Sequence, residues 1–313
     1  MSHGFVFPGQ GSQQVGMGRD LADTFAAARA VFEEVDDALG EPLSRLMFEG
    51  PEDKLVLTEN AQPALMAVSL ATTRTLEAEG GFALGDKCAF VAGHSLGEYS
   101  ALTAVGSLDL ADTARLLRRR GQAMQQAVPV GEGAMAALLG LDFDGADAIA
   151  AEAAGDGVCS TANDNAPGQV VLSGSRDAVA RAIAIAPEHG ARRCIELPVS
   201  APFHCSLMAP AAAVMAEVLA ETDIRPPSVP LVSNVTAQAV TSPDEIRKLL
   251  VAQVTGMVRW RESILYMRDN GVGFVVELGA GKVLTGLTRR IDRDLDATAI
   301  ESADQMAALL VAL

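Results

Sequence analysis

Two kinds of apolar pattern take turns along this chain. Phe5-Val6-Phe7 is a short solid run, as in a strand buried on both faces. Leu21, Phe25, Ala28, Phe32, Val35 and Leu39 then recur at steps of four and three. That spacing predicts one amphipathic helix from Asp20, ended by Gly40 and Pro42. A further helix is expected to open at Pro63, where proline suits the first turn, and to run through Leu65, Val68 and Leu70. Cys88 to Ala92 reads as a strand and Glu98 to Val105 as a helix. Asp109 is placed to cap a helix with Leu110, Ala114, Leu117, Gly121 and Met124 on one face.

Between about Val128 and Val199 the order changes. Ala134–Leu141 predicts a strand, Asp144–Ala154 a helix, Val158–Ala162 and Gln169–Ser173 two strands, Asp177–His189 a helix and Cys194–Leu197 a strand. This β-α-β-β-α-β order is that of the ferredoxin-like unit, here inserted in a larger domain. The division is residues 1–127 with 199–313 for the large domain and 128–198 for the insertion. Beyond it come a helix at Pro210–Leu219, a strand at Leu231–Ser233, and helices at Pro243–Val254 and Trp260–Asn270. Strand Phe274–Leu278 and helix Val283–Ile291 close the predicted series. Alternating strands and helices imply an α/β fold with a mostly parallel sheet covered on both faces.

The formal net charge of −16 argues against a nucleic-acid binder, which needs a basic face. Cys88, Cys159, Cys194 and Cys205 form no C-x-x-C pair and no zinc spacing, so no metal is expected. The amino terminus lacks a basic region ahead of an apolar one, and no long apolar stretch is free of charge or proline. The expectation is a cytoplasmic protein with no membrane span. Gly9-Gln10-Gly11 fails the dinucleotide fingerprint because Gln14 stands where its third glycine belongs.

The chemistry-bearing motif is Gly93-His94-Ser95-Leu96-Gly97, a G-x-S-x-G run between a predicted strand and helix. A serine on such a turn is pushed out with its hydroxyl exposed, and the helix N-terminus behind it suits a developing oxyanion. Glycines at 93 and 97 relieve crowding where strand, turn and helix meet. An activated serine needs a base. Of the four histidines, His3 is terminal, His94 points away from the Ser95 hydroxyl, and His189 is expected on the surface. His204, in a proline-punctuated loop where the chain re-enters the large domain, is the candidate. No acid between Ser95 and His204 stands out as a third member, so a backbone carbonyl is an alternative orienter. On the helix after Asp109, Arg115 and Arg119 point outward, while Arg118 and Arg120 flank the apolar stripe and either can reach a pocket.

Many motifs in order make the chain resemble the malonyl-CoA:acyl-carrier-protein transacylases of bacterial fatty-acid synthesis. They are Phe7-Pro8-Gly9-Gln10-Gly11-Ser12-Gln13, Gln62-Pro63-Ala64-Leu65, Gly93 to Ala101, Arg120-Gly121 and Gly133 to Ala137, followed by Asn165 to Gln169, His204 and Val283 to Thr288. The resemblance implies a hydrolase-like α/β core with the ferredoxin-like insertion. It implies Ser95 as acylated nucleophile, His204 as base, and the Gln10 and Leu96 N–H groups as oxyanion hole. Arg120 would hold the malonyl carboxylate, and the Gln253 main-chain carbonyl would orient the histidine. Phe203 would narrow the pocket against an α-methyl branch, and Asn163 and Asn165 would line the cleft. It further implies a monomer with no permanently bound cofactor, acting on malonyl-CoA and phosphopantetheinylated acyl carrier protein. The carrier is acidic, so a local basic patch is expected on Lys282, Arg289 and Arg290 of the last predicted helix, with Arg115 and Arg119 as further candidates.

Overall fold

The computed structural model describes residues 2–313. Its strands are β1 (Ser2–Phe7), β2 (Phe90–Gly93), β3 (Gly133–Leu139), β4 (Cys159–Ala166), β5 (Gln169–Ser175), β6 (Arg193–Glu196), β7 (Leu231–Val232), β8 (Ala239–Val240), β9 (Val272–Leu278) and β10 (Asp296–Ile300). The larger sheet has the order β10-β9-β1-β2-β7-β8 and is parallel except for the β7–β8 hairpin at its edge. The smaller sheet, β4-β5-β3-β6, is antiparallel. Helices Phe143–Ala154 and Arg176–Ile185 complete the expected β-α-β-β-α-β unit.

The solid run Phe5-Val6-Phe7 is fully buried because β1 lies inside the sheet with a helical layer on each face. Phe5 and Phe7 pack with Leu65, Leu70 and Leu102 in one core, whereas Val6 packs with Trp260, Ile264 and Met267 in another. The insertion has its own core around Leu138, Ile149, Leu172 and Val179. It is tied to the large unit by an Asn163–Val258 backbone bridge and by Arg261 on the buried Asp164 carboxylate at 2.8 Å.

Several expectations are corrected. The helix expected from Asp20 to Leu39 is two helices, Arg19–Thr24 and Ala26–Leu39, with Phe25 extended between them. The Arg29 guanidinium donates to the carbonyls of Ala22 and Asp23, which the break leaves short of partners. The helix expected to open at Pro63 starts at Thr58 and runs to Gly80. The Leu57 carbonyl accepts from Asn60 and Ala61 and closes a first turn ahead of the proline. Asp109 does occupy the N-cap of helix Leu110–Ala127, but its carboxylate pairs with Arg225 at 2.5 Å and caps nothing. The helix begun at Asp177 stops at Ile185. The series does not close at Ile291, since β10 and helix Ala303–Ala312 follow. Among the described residues no helix is long and apolar enough to cross a membrane.

Candidate active site

β2 ends at Gly93 and helix Gly97–Ala104 begins four residues later, with Ser95 on the turn. A Cβ on Gly93 would stand 1.9 Å from the Gly97 carbonyl carbon, and one on Gly97 would stand 2.2 Å from the Phe7 oxygen. Strand, turn and helix therefore approach more closely than any side chain allows. Ser95 sits at φ 53°, a conformation that costs an L-residue about 1–2 kcal/mol. Hydrogen bonds hold it there. The Ser95 N–H donates to Asn234 Oδ1 at 2.8 Å, and Asn234 Nδ2 donates to the Gly93 carbonyl at 2.7 Å. Gln253 Nε2 donates to the Ser95 carbonyl at 3.0 Å.

His204 Nε2 lies 2.8 Å from Ser95 Oγ. Its Nδ1 faces two carbonyls, Gln253 at 2.9 Å and Gly256 at 3.1 Å. Carbonyls only accept, so Nδ1 carries the proton and Nε2 is left to accept from the serine hydroxyl. Burial, reinforced by the Arg120 charge, pushes the imidazole pKa down to about 3. The ring is thus neutral at pH 7. Like Ser95 it has a left-handed backbone, at φ 59°.

Arg120 leaves the edge of helix Leu110–Ala127 and is 1% exposed. Nη1 donates to Gln62 Oε1 at 2.8 Å, and Nη2 donates to Gln253 Oε1 at 2.8 Å and to Ser95 Oγ at 3.1 Å. Its Nε has no hydrogen-bond partner, and the guanidinium lies 5.7 Å from the Tyr99 ring centroid. Among the described residues no carboxylate forms an ion pair with it. A buried cation with no carboxylate in direct contact is expensive, so the site is suited to receive an anion beside Ser95. Arg118, the other candidate at the stripe's edge, turns away to Asn60 and Glu41.

These groups open into a cavity of about 360 Å³ between the two sheets. The elbow, Gln10, Gln62 and Arg120 supply one wall. Met135, Asn163, Asn165 and Val171 of the insertion supply the other, and the returning segment with Phe203 and His204 closes it. Gln10 and Leu96 both line the cavity, and among the described residues nothing accepts a hydrogen bond from either N–H. His94 also lines it, but Nε2 pairs with Asn165 Oδ1 at 2.9 Å and not with the serine. His189 is exposed beside Glu152, and His3 packs edge-on against Phe274. Among the described residues no cluster of His, Cys, Asp or Glu has the arrangement to hold a metal.

The acyl transferase domain family matches residues 4–307. The chain is 48% identical to the malonyl CoA-acyl carrier protein transacylase of Escherichia coli strain K12, over 98% of both chains. Its structure superposes on that of the acyl-carrier-protein S-malonyltransferase from Bartonella henselae with a TM-score of 0.97 and 54% identity, covering 100% of this chain and 99% of the other. This chain belongs to the malonyl-CoA:acyl-carrier-protein transacylase family. A further neighbour, a malonyl-transacylase solved in complex with a type II PKS acyl-carrier protein, has a TM-score of 0.96 at 42% identity and full coverage of both chains.

Within this transacylase-family site, three buried residues carry contacts to which the sequence assigned no role: Gln62 and Glu98, both inside the motifs quoted above, and Asn234. Gln62 is the one polar side chain facing Arg120 from helix Thr58–Gly80. Its signal was a glutamine at the head of the apolar run Pro63 to Val68. Glu98, fully enclosed, has its pKa pushed up to about 7 by burial, against hydrogen bonds from Gln253, Asn234 and Ser233 and the Arg120 charge. Asn234 follows β7 with no pattern to mark it. Lys282, Arg289 and Arg290 are all exposed, but their helix, Val283–Ile291, is not the last. Lys282 lies 3.8 Å from Glu301, Arg289 donates to the Ala297 carbonyl and Arg290 to Gln169.

Proposed function

We infer that this chain transfers malonyl groups from coenzyme A to the phosphopantetheine thiol of acyl carrier protein in fatty-acid synthesis, with Ser95 as the temporary acyl carrier. The observation that carries this reading is the buried Arg120 guanidinium, unpaired with any carboxylate and 3.1 Å from Ser95 Oγ. A malonyl group puts its carboxylate two bonds beyond the thioester carbonyl, and a planar guanidinium receives it with two parallel hydrogen bonds.

His204 Nε2 takes the Ser95 proton as Oγ attacks the thioester carbon. The oxyanion that forms accepts from the Gln10 and Leu96 N–H groups, with the N-terminus of helix Gly97–Ala104 behind them. The C–S bond breaks, the coenzyme A thiolate takes the proton from His204, and malonyl-Ser95 remains. The carrier's thiol then attacks the ester, giving its proton to His204, which returns it to Ser95 Oγ. The Gln253 and Gly256 carbonyls hold the imidazole throughout, so no acid is needed as a third member. Phe203 limits branching at the malonyl α-carbon. No permanently bound cofactor takes part.

The acidic carrier docks on Lys282, Arg289 and Arg290. A Cβ on Gly281 would stand 3.4 Å from Ser12, inside the Gln10–Gln13 loop of the cavity wall, and Arg290 reaches Gln169 at the start of β5. Lys282 and Arg290 thus lie at opposite ends of one helix, the first next to Gly281 near the cavity-wall loop and the second against the smaller sheet. The remaining readings are a monomer in the cytoplasm, with residues 128–198 as a unit inserted between 1–127 and 199–313. Intact-mass measurement after mixing with malonyl-CoA tests the mechanism: a malonyl adduct on Ser95 that persists in water and discharges on adding carrier supports it. Adduct lost to water at the same rate with or without carrier means a hydrolase instead.

A further inference from the structure

We infer that Glu98 is a positioning residue for malonyl selectivity, acting on Arg120 through the side-chain amide of Gln253. This rests on the reading of Arg120 as the carboxylate-binding group.

Glu98 is on the first turn of helix Gly97–Ala104, three residues past Ser95, and is 1% exposed. Its Oε2 accepts from Gln253 Nε2, and its Oε1 accepts from the Asn234 backbone N–H at 3.3 Å. The other N–H of the Gln253 amide goes to the Ser95 carbonyl. With both amide hydrogens committed, Gln253 Oε1 has one direction left, and Arg120 Nη2 donates to it at 2.8 Å. Rotating that amide by half a turn would set its oxygen against the Glu98 carboxylate and its NH₂ against the guanidinium. Glu98 thus fixes which face of Gln253 meets Arg120. Through Asn234 the same carboxylate also braces the residue that holds the Ser95 N–H.

Ionised, Glu98 offers acceptors only, and this is the form that satisfies both donors at this position. A glutamine there offers one oxygen to two donors, so its NH₂ must face either the Gln253 NH₂ or the Asn234 N–H. The guanidinium then loses its fixed partner, and the malonyl carboxylate meets a misplaced fork. An acetyl group makes no use of that fork.

The test compares wild type, Glu98→Gln, Gln253→Met, the double variant and Arg120→Met, with kcat/KM for malonyl-CoA and acetyl-CoA and thermal unfolding for each. In Glu98→Gln the malonyl-to-acetyl ratio is expected to fall roughly ten- to a hundredfold, as for loss of one charge-assisted hydrogen bond. In the Gln253→Met background, which keeps the carbonyl on His204, Glu98→Gln is expected to change the ratio no further. Equal losses for both substrates, or ratio changes that multiply in the double variant, overturn the inference. If Glu98→Gln does not fold, Gln253→Met alone must lower the ratio, and an unchanged ratio is equally fatal. An Arg120→Met variant that keeps the wild-type ratio sinks the underlying reading of Arg120. Loss of the ratio in Arg120→Met with retention in Glu98→Gln sinks only the role of Glu98.

Discussion

Replacing Arg120 by methionine removes the group that would bind the acyl carboxylate while leaving the Ser95–His204 hydrogen bond in place. Methionine keeps much of the aliphatic volume against Tyr99 and Met124 while removing the fork. The malonyl carboxylate then enters a buried pocket with no cation. Breaking such a buried pair costs about 3–5 kcal/mol, which is a factor of about 200 to 5000 in malonyl kcat/KM. Acetyl transfer has no carboxylate to lose and is expected to fall far less than malonyl transfer, since the Ser95–His204 hydrogen bond remains even though Ser95 Oγ loses its donor from Arg120. Stability moves differently. Removing the side chain leaves Gln62 Oε1 and Gln253 Oε1 without a donor, at about 1–3 kcal/mol each, but also removes a buried charge that has no carboxylate in direct contact. These oppose, so thermal stability is expected to shift little while selectivity collapses. The assay is carrier acylation from malonyl-CoA and acetyl-CoA at equal enzyme, with intact mass reporting Ser95 loading. A malonyl loss under tenfold, or equal losses for the two substrates, would refute the role of Arg120.

Other outcomes follow from the same geometry. The folded-state His204 pKa, near 3, lies below the unfolded value of 6.5, so its stabilising contribution is full above pH 6.5 and is lost as pH falls toward 3. At pH 5 that loss is about 2 kcal/mol, and His204→Gln should flatten the acid side of the stability curve by that amount; parallel curves would count against it. Glu98 has the opposite sign: its folded pKa, about 7, exceeds the unfolded 4.5, so it lowers stability as pH rises between these values, and urea unfolding of Glu98→Gln should lack that decline. Gly97→Ala should leave little folded protein, because its methyl group would collide with the Phe7 carbonyl; a soluble, active variant refutes the close-approach argument. Charge reversal at Lys282 and Arg290 should raise KM for carrier protein while leaving KM for malonyl-CoA unchanged, and equal rises would refute the docking surface.

What the sequence could reveal depended on how local each constraint is. The elbow was legible because strand, glycines, serine and helix are consecutive, and crowding at Gly93 and Gly97 is a near-neighbour effect. The β-α-β-β-α-β insertion was legible because its periodicities are clean. The choice between Arg118 and Arg120 was not settled by periodicity, since both flank the stripe. What separates them is Gln62 on one side and Glu41 with Asn60 on the other, all distant in sequence. The roles of Glu98, Asn234 and the Gln253 side chain were invisible for the same reason: they meet from three elements and mean nothing singly. The break at Phe25 escaped because one extended residue leaves the apolar spacing intact. β10 and helix Ala303–Ala312 escaped because their small alanine-rich runs carry weak amplitude at either period.

The sharing of the cavity wall between the two sheets has an evolutionary consequence. Ser95 and Arg120 reach the cavity from the large unit, whereas Met135 and Val171 reach it from β3 and β5 and also pack in the same core as Leu96 and Tyr99. Substitutions at Met135 or Val171 therefore change the cavity and the packing beside the Ser95 turn together. Cavity shape and support of the serine turn are expected to change in concert in descendants of this fold. The returning strap through Phe203 and His204 closes the same cavity, and it must stay in step with both walls.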